Sequence, residues 1–374
     1  MKKILTIIGA RPQIIKSSAI SRAIKTHFSE VFSEVVLHTG QHYDENMSDV
    51  FFSELEIPYP KYNLKVGSLS HGEQTAKMIE GIEEVLVKEK PQGVIIYGDT
   101  NSTLAGAIAA SKMLIPVIHI EAGLRSFDKT MPEEINRVVS DHCSTLLFCP
   151  SSTGYNNLIR EGFNKKIYEK PTINNPNVYL TGDIMYDNTL YFSKKASKRK
   201  TPLSIYDDFI LCTIHRNSNT DNKENLLEIF SAIKAISENQ TIVLPLHPRT
   251  KKMLSELLPS FFEEIQSNNN IKIIPPVSFL DMIYLETKAK LIITDSGGVQ
   301  KEAYFLKKPS VILRPQTEWV EIIECGNALL AGKSYNKIIE STNWFINNPP
   351  KAYPNYFGDG QSSKFILDKI NKCL

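Results

Sequence analysis

No stretch of this 374-residue chain approaches the roughly 20 consecutive apolar residues that span a bilayer. At the N-terminus, Met1-Lys2-Lys3 precedes an apolar run from Ile4 to Ile8, but the run stops at Gly9 and Arg11, too short for the core of a secretion signal. A cytoplasmic protein without a membrane partner is expected. Cysteine is scarce: Cys143, Cys149, Cys212, Cys325 and Cys373 are odd in number, scattered, and form no C-x-x-C pair. A disulfide framework and a cysteine zinc site are therefore not indicated, no metal site is expected, and reduced thiols are. An excess of one charge is also missing. Lys and Arg total 43 against 41 Asp and Glu, a formal net charge of +2, which argues against a nucleic-acid coat or a polybasic membrane binder. Two phosphate-binding fingerprints are absent as well. The first strand is not followed by G-x-G-x-x-G, and there is no G-x-x-x-x-G-K-[ST]. No cofactor is expected.

What is present is an ordinary globular composition, 42% hydrophobic and 22% charged, on a length that suits about two domains. Short β-branched runs alternate with helical patterns, the signature of parallel α/β construction. Ile4–Ile8, Val35–His38, Gly93–Tyr97, Val117–Ile120 and Thr145–Cys149 read as strands. A second series runs through Phe209–Thr213, Thr241–Leu246, Ile271–Ile274, Leu291–Thr294 and Ser310–Leu313. Helical patterns between them include 70–89, 101–112, 133–142, 223–237, 280–288 and 299–306. The fold class expected is α/β, two doubly wound Rossmann-like domains in series. The seam falls in the Pro- and Asn-rich stretch after Gly162, giving domains 1–175 and 176–359, with a last helix, 360–374, returning to the first. The basic run Lys194 to Lys200 reads as a solvated helix end. Ligands of such sheets sit beyond the carboxyl ends of the strands, so the residues just after each strand carry most weight.

After the first strand comes Gly9-Ala10-Arg11-Pro12-Gln13-Ile14-Ile15-Lys16. Gly9 permits a tight turn, Pro12 suits a helix start, and Arg11 and Lys16 place two cations beside it, which suits an anion such as a diphosphate. Read alone, the same residues also suit a plain strand-to-helix turn. In Thr294-Asp295-Ser296-Gly297-Gly298-Val299-Gln300-Lys301-Glu302, a strand runs through Ser296, Gly297 and Gly298 directly into a helix, offering backbone N–H groups and a hydroxyl to a phosphate. Glu302, about one turn on, is placed to accept from a ribose diol. Asp99 and Glu121 follow neighbouring strands and are candidates to face one cleft, although Asp99 also suits a helix N-cap. Glu133 and Glu134 follow Pro132, where acids also serve the helix dipole. Clustered carboxylates raise one another's pKa, which is how a general acid is made at neutral pH. His42, His215-Arg216 and His247 all follow strands and are proton-carrier or phosphate-partner candidates, or plain loop hydrogen-bonders.

Taken in order, Gly9-Ala10-Arg11-Pro12-Gln13, Thr39-Gly40-Gln41-His42, Gly98-Asp99-Thr100, His119-Ile120-Glu121-Ala122-Gly123-Leu124-Arg125, Pro132-Glu133-Glu134-Ile135-Asn136-Arg137, His215-Arg216 and the Thr294–Glu302 segment resemble the non-hydrolysing UDP-N-acetylglucosamine 2-epimerases. The resemblance implies the glycosyltransferase-B architecture, with the site in a cleft between two Rossmann-like domains, and a homodimer. It implies inversion at C2 of a UDP-2-acetamido sugar, through elimination and re-addition of UDP. It also assigns Asp99, Glu121, Glu133 and His215 to proton transfer. Arg11, Lys16, His42, Arg137, Arg216, His247, Ser296, Gly297, Gly298, Glu302 and Arg314 fall to substrate binding. The departures are informative. Ala10 and Gln13 stand where the usual bacterial enzyme has Thr and Glu, Trp319-Val320 where it has Arg-Pro, and Asp44 where allosterically regulated members carry a second glutamine. These features look more like the subgroup acting on UDP-2,3-diacetamido-2,3-dideoxy-glucuronate, which is the alternative substrate. A UDP-sugar glycosyltransferase and a non-catalytic nucleotide-sugar sensor are the competing functions of other classes.

Overall fold

Nearly every strand of this chain is apolar on both faces, so each must lie inside a sheet covered on both sides. The computed structural model describes residues 1–41, 52, 54–198, 203 and 207–374. Two units divide them, Met1–Asn188 with Asn355–Leu374, and Thr189–Pro354. The first holds a seven-stranded sheet: β1 (Lys2–Ile8), β2 (Phe32–His38), β3 (Tyr62–Asn63), β4 (Gly93–Tyr97), β5 (Val117–Ile120), β6 (Leu146–Cys149) and β7 (Asn177–Leu180), in the order β3-β2-β1-β4-β5-β6-β7. The second holds six: β8 (Phe209–Thr213), β9 (Thr241–Pro245), β10 (Ile271–Ile274), β11 (Leu291–Thr294), β12 (Ser310–Ile312) and β13 (Ala328–Leu330), in the order β10-β9-β8-β11-β12-β13. All pairings are parallel. Both orders step outward from the first strand and then reverse, so β1/β4 and β8/β11 are the switch points where a doubly wound sheet opens a crevice.

Burial alternates as a two-faced sheet requires. Ile210, Cys212 and Ile214 join one core cluster, while Phe209 and Leu211 face the other. Helices run between the strands, and their starts carry local signals. Ser70, Thr100, Ser151, Asn222, Ser278, Ser296 and Ser334 each accept a hydrogen bond from a first-turn amide, the capping expected of those residue types. Helix Asn101–Lys112 buries Ala105, Ala107, Ala109 and Ala110 against the first sheet, where small side chains let it lie close.

The expected boundary at residue 175/176 lies earlier than the observed division. Strand β7 pairs with β6, Cys149 opposite Leu180, and so completes the first sheet. Asp183 continues in the first unit, its amide donating to the Phe357 carbonyl at 2.8 Å. The helix Ile184–Ser197 then carries the chain into the second unit. The last helix, Ser362–Cys373, belongs to the first unit and packs on helix Arg11–His27. Asp187 accepts from the Ser362 and Ser363 amides at 3.0 and 2.8 Å, fixing its start. Among the described residues no helix is long and apolar enough to cross a membrane. All five cysteines are free thiols.

Candidate active site

In the first unit the site is built at the carboxyl ends of β1, β4 and β5. Gly9 closes β1 where any Cβ would overlap the Ser102 and Thr39 hydroxyls, so only glycine lets the strand end approach helix Asn101–Lys112. Gln13 then joins the two strands at the switch point. Its Oε1 accepts from the Gly9 amide at 2.8 Å and its Nε2 donates to the Tyr97 carbonyl at 2.9 Å. A glutamate could not make the second bond, which gives a physical reason for Gln13 in this chain.

Beyond β4, Gly98 turns with φ +63°. A Cβ there would stand 3.1 Å from both Glu121 Oε2 and Lys16 Nζ. Those two groups, from the end of β5 and from helix Arg11–His27, form an ion pair. Asp99 follows and meets Arg137 Nη2 at 2.6 Å, while its carbonyl accepts from Asn136 Nδ2 at 2.9 Å. Burial raises the Asp99 carboxyl above its ordinary range, and nearby Glu121 adds to this, outweighing the opposing pull of Arg137 and Lys16. Two carboxylates and two cations therefore share one small region. Glu121 also holds φ +73°, a left-handed backbone that costs a β-carbon-bearing residue roughly 1–3 kcal/mol and is typical of functional sites.

A buried ionic layer lies directly beneath. His119 on β5 places Nε2 at 2.8 Å from the Gly98 carbonyl and Nδ1 at 2.7 Å from Asp141. Both ring nitrogens thus face oxygen atoms, which fixes the ring between the Gly98 turn and Asp141. Arg125 completes the layer, 2.7 Å from the other Asp141 oxygen. Burial would raise Asp141, but the His119 and Arg125 charges and hydrogen bonds outweigh it and hold the carboxyl below its usual range. This layer sets the Gly98-Asp99 turn and the Gly123 amide, which donates to Asp141 at 3.1 Å.

In the second unit the corresponding strand ends are tied by Asp295, fully buried after β11. It accepts from the His215 and Arg216 amides at 3.1 and 2.9 Å and from Asn219 Nδ2 at 3.0 Å, with His215 Nδ1 3.4 Å away. Ser296 caps helix Gly297–Phe305 by accepting from the Val299 amide, and the Gly297 and Gly298 amides belong to the first turn, where helix geometry supplies no acceptor. The segment after β12 braces this turn. Trp319 Nε1 donates to the Gly297 carbonyl at 3.1 Å, Lys301 Nζ stands 4.0 Å over the Trp319 ring, and Arg314 pairs with Glu318 at 3.0 Å.

The other residues expected at the site, Glu133 for proton transfer and Arg11, His42, His247 and Glu302 for substrate binding, are placed as follows. Glu133 is exposed on its helix. Its neighbour Glu134 turns inward, accepting from the Ser126 and Phe127 amides at 2.9 and 3.0 Å and pairing with Arg137 at 2.7 Å. His247 caps helix Pro248–Leu257, accepting from the Arg249 amide at 3.2 Å, with its ring 5.7 Å from that of His215. Arg11 opens its helix on the exposed side, and Glu302 is buried. His42 lies outside the described residues.

The family model for UDP-N-acetylglucosamine 2-epimerase matches residues 24–371. The chain belongs to that family. A solved structure of the Methanocaldococcus jannaschii UDP-GlcNAc 2-epimerase in complex with UDP-GlcNAc and UDP is 45% identical, covers 98% of this chain and 99% of its own, and superposes with a TM-score of 0.85. The UDP-2,3-diacetamido-2,3-dideoxy-D-glucuronate 2-epimerase of Pseudomonas aeruginosa is also 45% identical, over 99% of each chain. A Phytolacca americana UGT2 structure, 12% identical with a TM-score of 0.60 over 99% of this chain and 93% of its own, shares the fold alone. The two-domain, glycosyltransferase-B-like α/β architecture expected of an epimerase of this family is thus the one observed. Gln13, Asp141 and Asp295 organise it, and the sequence reading assigned none of them a role. Asp295 sat inside a recognised motif, and its position directly after a strand was the available signal.

Proposed function

We propose that the chain inverts C2 of a UDP-linked 2-acetamido sugar, interconverting UDP-N-acetylglucosamine and UDP-N-acetylmannosamine. The observation that carries this reading is the pairing of Asp99 and Glu121 with Arg137 and Lys16 at the β1/β4 switch point. The C2–H bond has no adjacent carbonyl, so its proton cannot leave alone without forming an unstabilised carbanion. Elimination avoids that species. A carboxylate takes the C2 proton, the C–H pair becomes the C1=C2 bond of a 2-acetamidoglucal, and the C1–O pair leaves with UDP. Re-addition reverses each step with the proton delivered to the opposite face of C2. The chemistry needs proton carriers on two faces, which two carboxylates of unequal environment supply. It also needs donors that hold a departing diphosphate, which suit Arg11, Lys16, the Ser296 turn and Arg216. His215, braced by Asp295, and Arg137 complete the set. Arg314 and Glu302 are read as approaching the nucleoside.

The family model and the Methanocaldococcus jannaschii enzyme support UDP-N-acetylglucosamine as the sugar, and the diacetamido-glucuronate epimerase, at the same 45% identity, makes its nucleotide the alternative to test. The deciding experiment incubates the protein with each UDP-sugar in deuterated water, without acceptor or nicotinamide. Deuterium appearing at C2 of UDP-N-acetylglucosamine, with its epimer, supports the proposal. Exchange confined to the diacetamido-glucuronate nucleotide moves the substrate. Exchange with neither sugar, and turnover only after an acceptor is added, overturns epimerisation in favour of glycosyl transfer. The protein is expected to act in the cytoplasm as a homodimer, as the family resemblance implies.

A further inference from the structure

Glu134 takes no part in the proton transfers above, yet it is tied to them. It is buried on helix Pro132–His142. One oxygen accepts from the Phe127 amide at 3.0 Å, and the other from the Ser126 amide at 2.9 Å and from Arg137 Nη1 at 2.7 Å. Burial works to raise this carboxyl, but the Ser126 amide, Arg137 and the Phe127 amide outweigh it and hold it below its usual range. Glu134 is therefore an ionised carboxylate fixed from two sides, by the loop before its helix and by the next turn of the helix itself.

Arg137 is a fork with one arm on each of two carboxylates. Nη1 goes to Glu134, and Nη2 goes to Asp99 at 2.6 Å. The guanidinium is planar and rigid, so a carboxylate fixed on one arm sets the direction of the other. It also shares the positive charge. Charged groups reach Asp99 from other elements as well, Lys16 from helix Arg11–His27 and Glu121 from the end of β5. Asn136 donates to the Asp99 carbonyl at 2.9 Å, and His71 of helix His71–Glu89 stands 3.2 Å from Asn101 Nδ2. Lys16 is paired with Glu121 just as Arg137 is paired with Glu134. Each of these cations is thus matched by a carboxylate other than Asp99, which is the third acid on two cations.

Resting on the reading of Asp99 as a proton carrier given above, we propose that Glu134 is a positioning residue for Asp99, acting through Arg137. By holding one arm of the guanidinium and balancing its charge, Glu134 aims the other arm at Asp99 and leaves that carboxyl able to take up a proton. Without the Glu134 charge, Arg137 stabilises ionised Asp99 alone, and Asp99 holds its proton less firmly.

The test follows C2 exchange of the active UDP-sugar in deuterated water across pH, on the whole protein and on Glu134→Gln and Glu134→Asp variants. Removing one charge from the Arg137 fork should move one limb of the Glu134→Gln profile about one pH unit toward acid, the lower end of what a neighbouring charge does to a carboxyl. The other limb should stay in place. Glu134→Asp keeps the charge beside Arg137, so both of its limbs should stay where wild type has them even if the rate falls. A Glu134→Gln profile lowered evenly at every pH would mean a loop anchor only and overturn the proposal, as would an unchanged profile or a shift toward alkali. A limb displaced as far in Glu134→Asp as in Glu134→Gln would also overturn it. Should Glu134→Gln fail to fold, Glu134→Asp decides alone: unmoved limbs support the charge-balancing role, and a displaced limb overturns it. Wild type that exchanges with neither UDP-sugar overturns the proposed function. Wild type that exchanges, with an Asp99→Asn variant that keeps its full rate and profile, removes Asp99 as a carrier and this inference with it, while leaving epimerisation intact.

Discussion

Glu121 is held by more than its own side chain. Its left-handed backbone at φ +73° and its ion pair with Lys16 fix the carboxylate beside the Gly98 turn, and Gly98 is the residue that leaves room for both groups. A residue stabilised in an unfavourable conformation by its surroundings can be changed in chemistry while its place is kept. Glu121→Gln retains shape and removes the proton acceptor, so C2 deuterium exchange should fall by about 10²–10⁴-fold, the usual worth of general acid–base catalysis. UDP affinity, measured by calorimetry, should hold. Intact exchange in this variant would remove Glu121 from the proton-transfer set. The contrast with the Glu133/Glu134 pair shows what a sequence can carry at this scale. Both acids follow Pro132 and both suit the first turn of a helix, and only the direction of the side chain separates them. Glu134 turned inward to the Ser126 and Phe127 amides, leaving Glu133 in solvent. Motif spacing selects a turn of helix, and packing selects the residue within it.

At the scale of elements, the site rests on the join between β4, β5 and helix Pro132–His142, made by His119, Asp141 and Arg125. Asp141 is fully buried between His119 and the Arg125 guanidinium, and removing one partner of such a group strands the rest. Asp141→Asn should cost about 3–5 kcal/mol near neutral pH. The sign of the pH effect follows from the lowered carboxyl of Asp141. A carboxyl whose pKa is depressed by folding stabilises fully above its unfolded value of about 3.9, and that stability is lost as pH falls through the folded value. Denaturant titrations should therefore show the gap between wild type and variant narrowing below about pH 4, and a gap that stays constant there would remove Asp141 as the titrating group. The strands that position this join were legible as short β-branched runs, Gly93–Tyr97 and Val117–Ile120. Three others, Tyr62–Asn63, Asn177–Leu180 and the three-residue Ala328–Leu330, were not. Tyr62–Asn63 is only two residues long and gets its place from pairing with Leu37 and His38. Asn177–Leu180 sits directly after Asn- and Pro-rich sequence that reads as a linker, and the open edge of β6 makes it a strand.

For the molecule as a whole, the chain leaves its first unit after Asn188 and re-enters it at Asn355, so the last twenty or so residues belong to a core begun some 350 residues earlier. The returning helix buries Ile366, Leu367 and Ile370 completely, and Phe357 precedes it at 1% exposure. At roughly 1.5–3 kcal/mol for each fully buried large apolar side chain, these four contribute on the order of 6–12 kcal/mol, as much as the entire stability of a typical domain. The Asp187 bonds to the Ser362 and Ser363 amides are lost with them. A chain ending at Pro354 should then lose the first unit selectively. Its amides in β1, β2 and helix Arg11–His27 should exchange within the dead time of a hydrogen-exchange experiment, while β8, β9 and β11, whose sheet lies wholly within residues 189–354, keep wild-type protection. Uniform loss across both sheets would show that the second unit depends on the first for its fold. Unchanged protection in β1 would show that the terminal helix is an accessory to a core complete without it. Selective loss would carry a functional consequence that can be read in the same sample. The Asp99 and Glu121 strand ends belong to the unit that melts, and the Ser296 turn to the one that remains. Exchange at C2 should vanish while weak UDP binding persists.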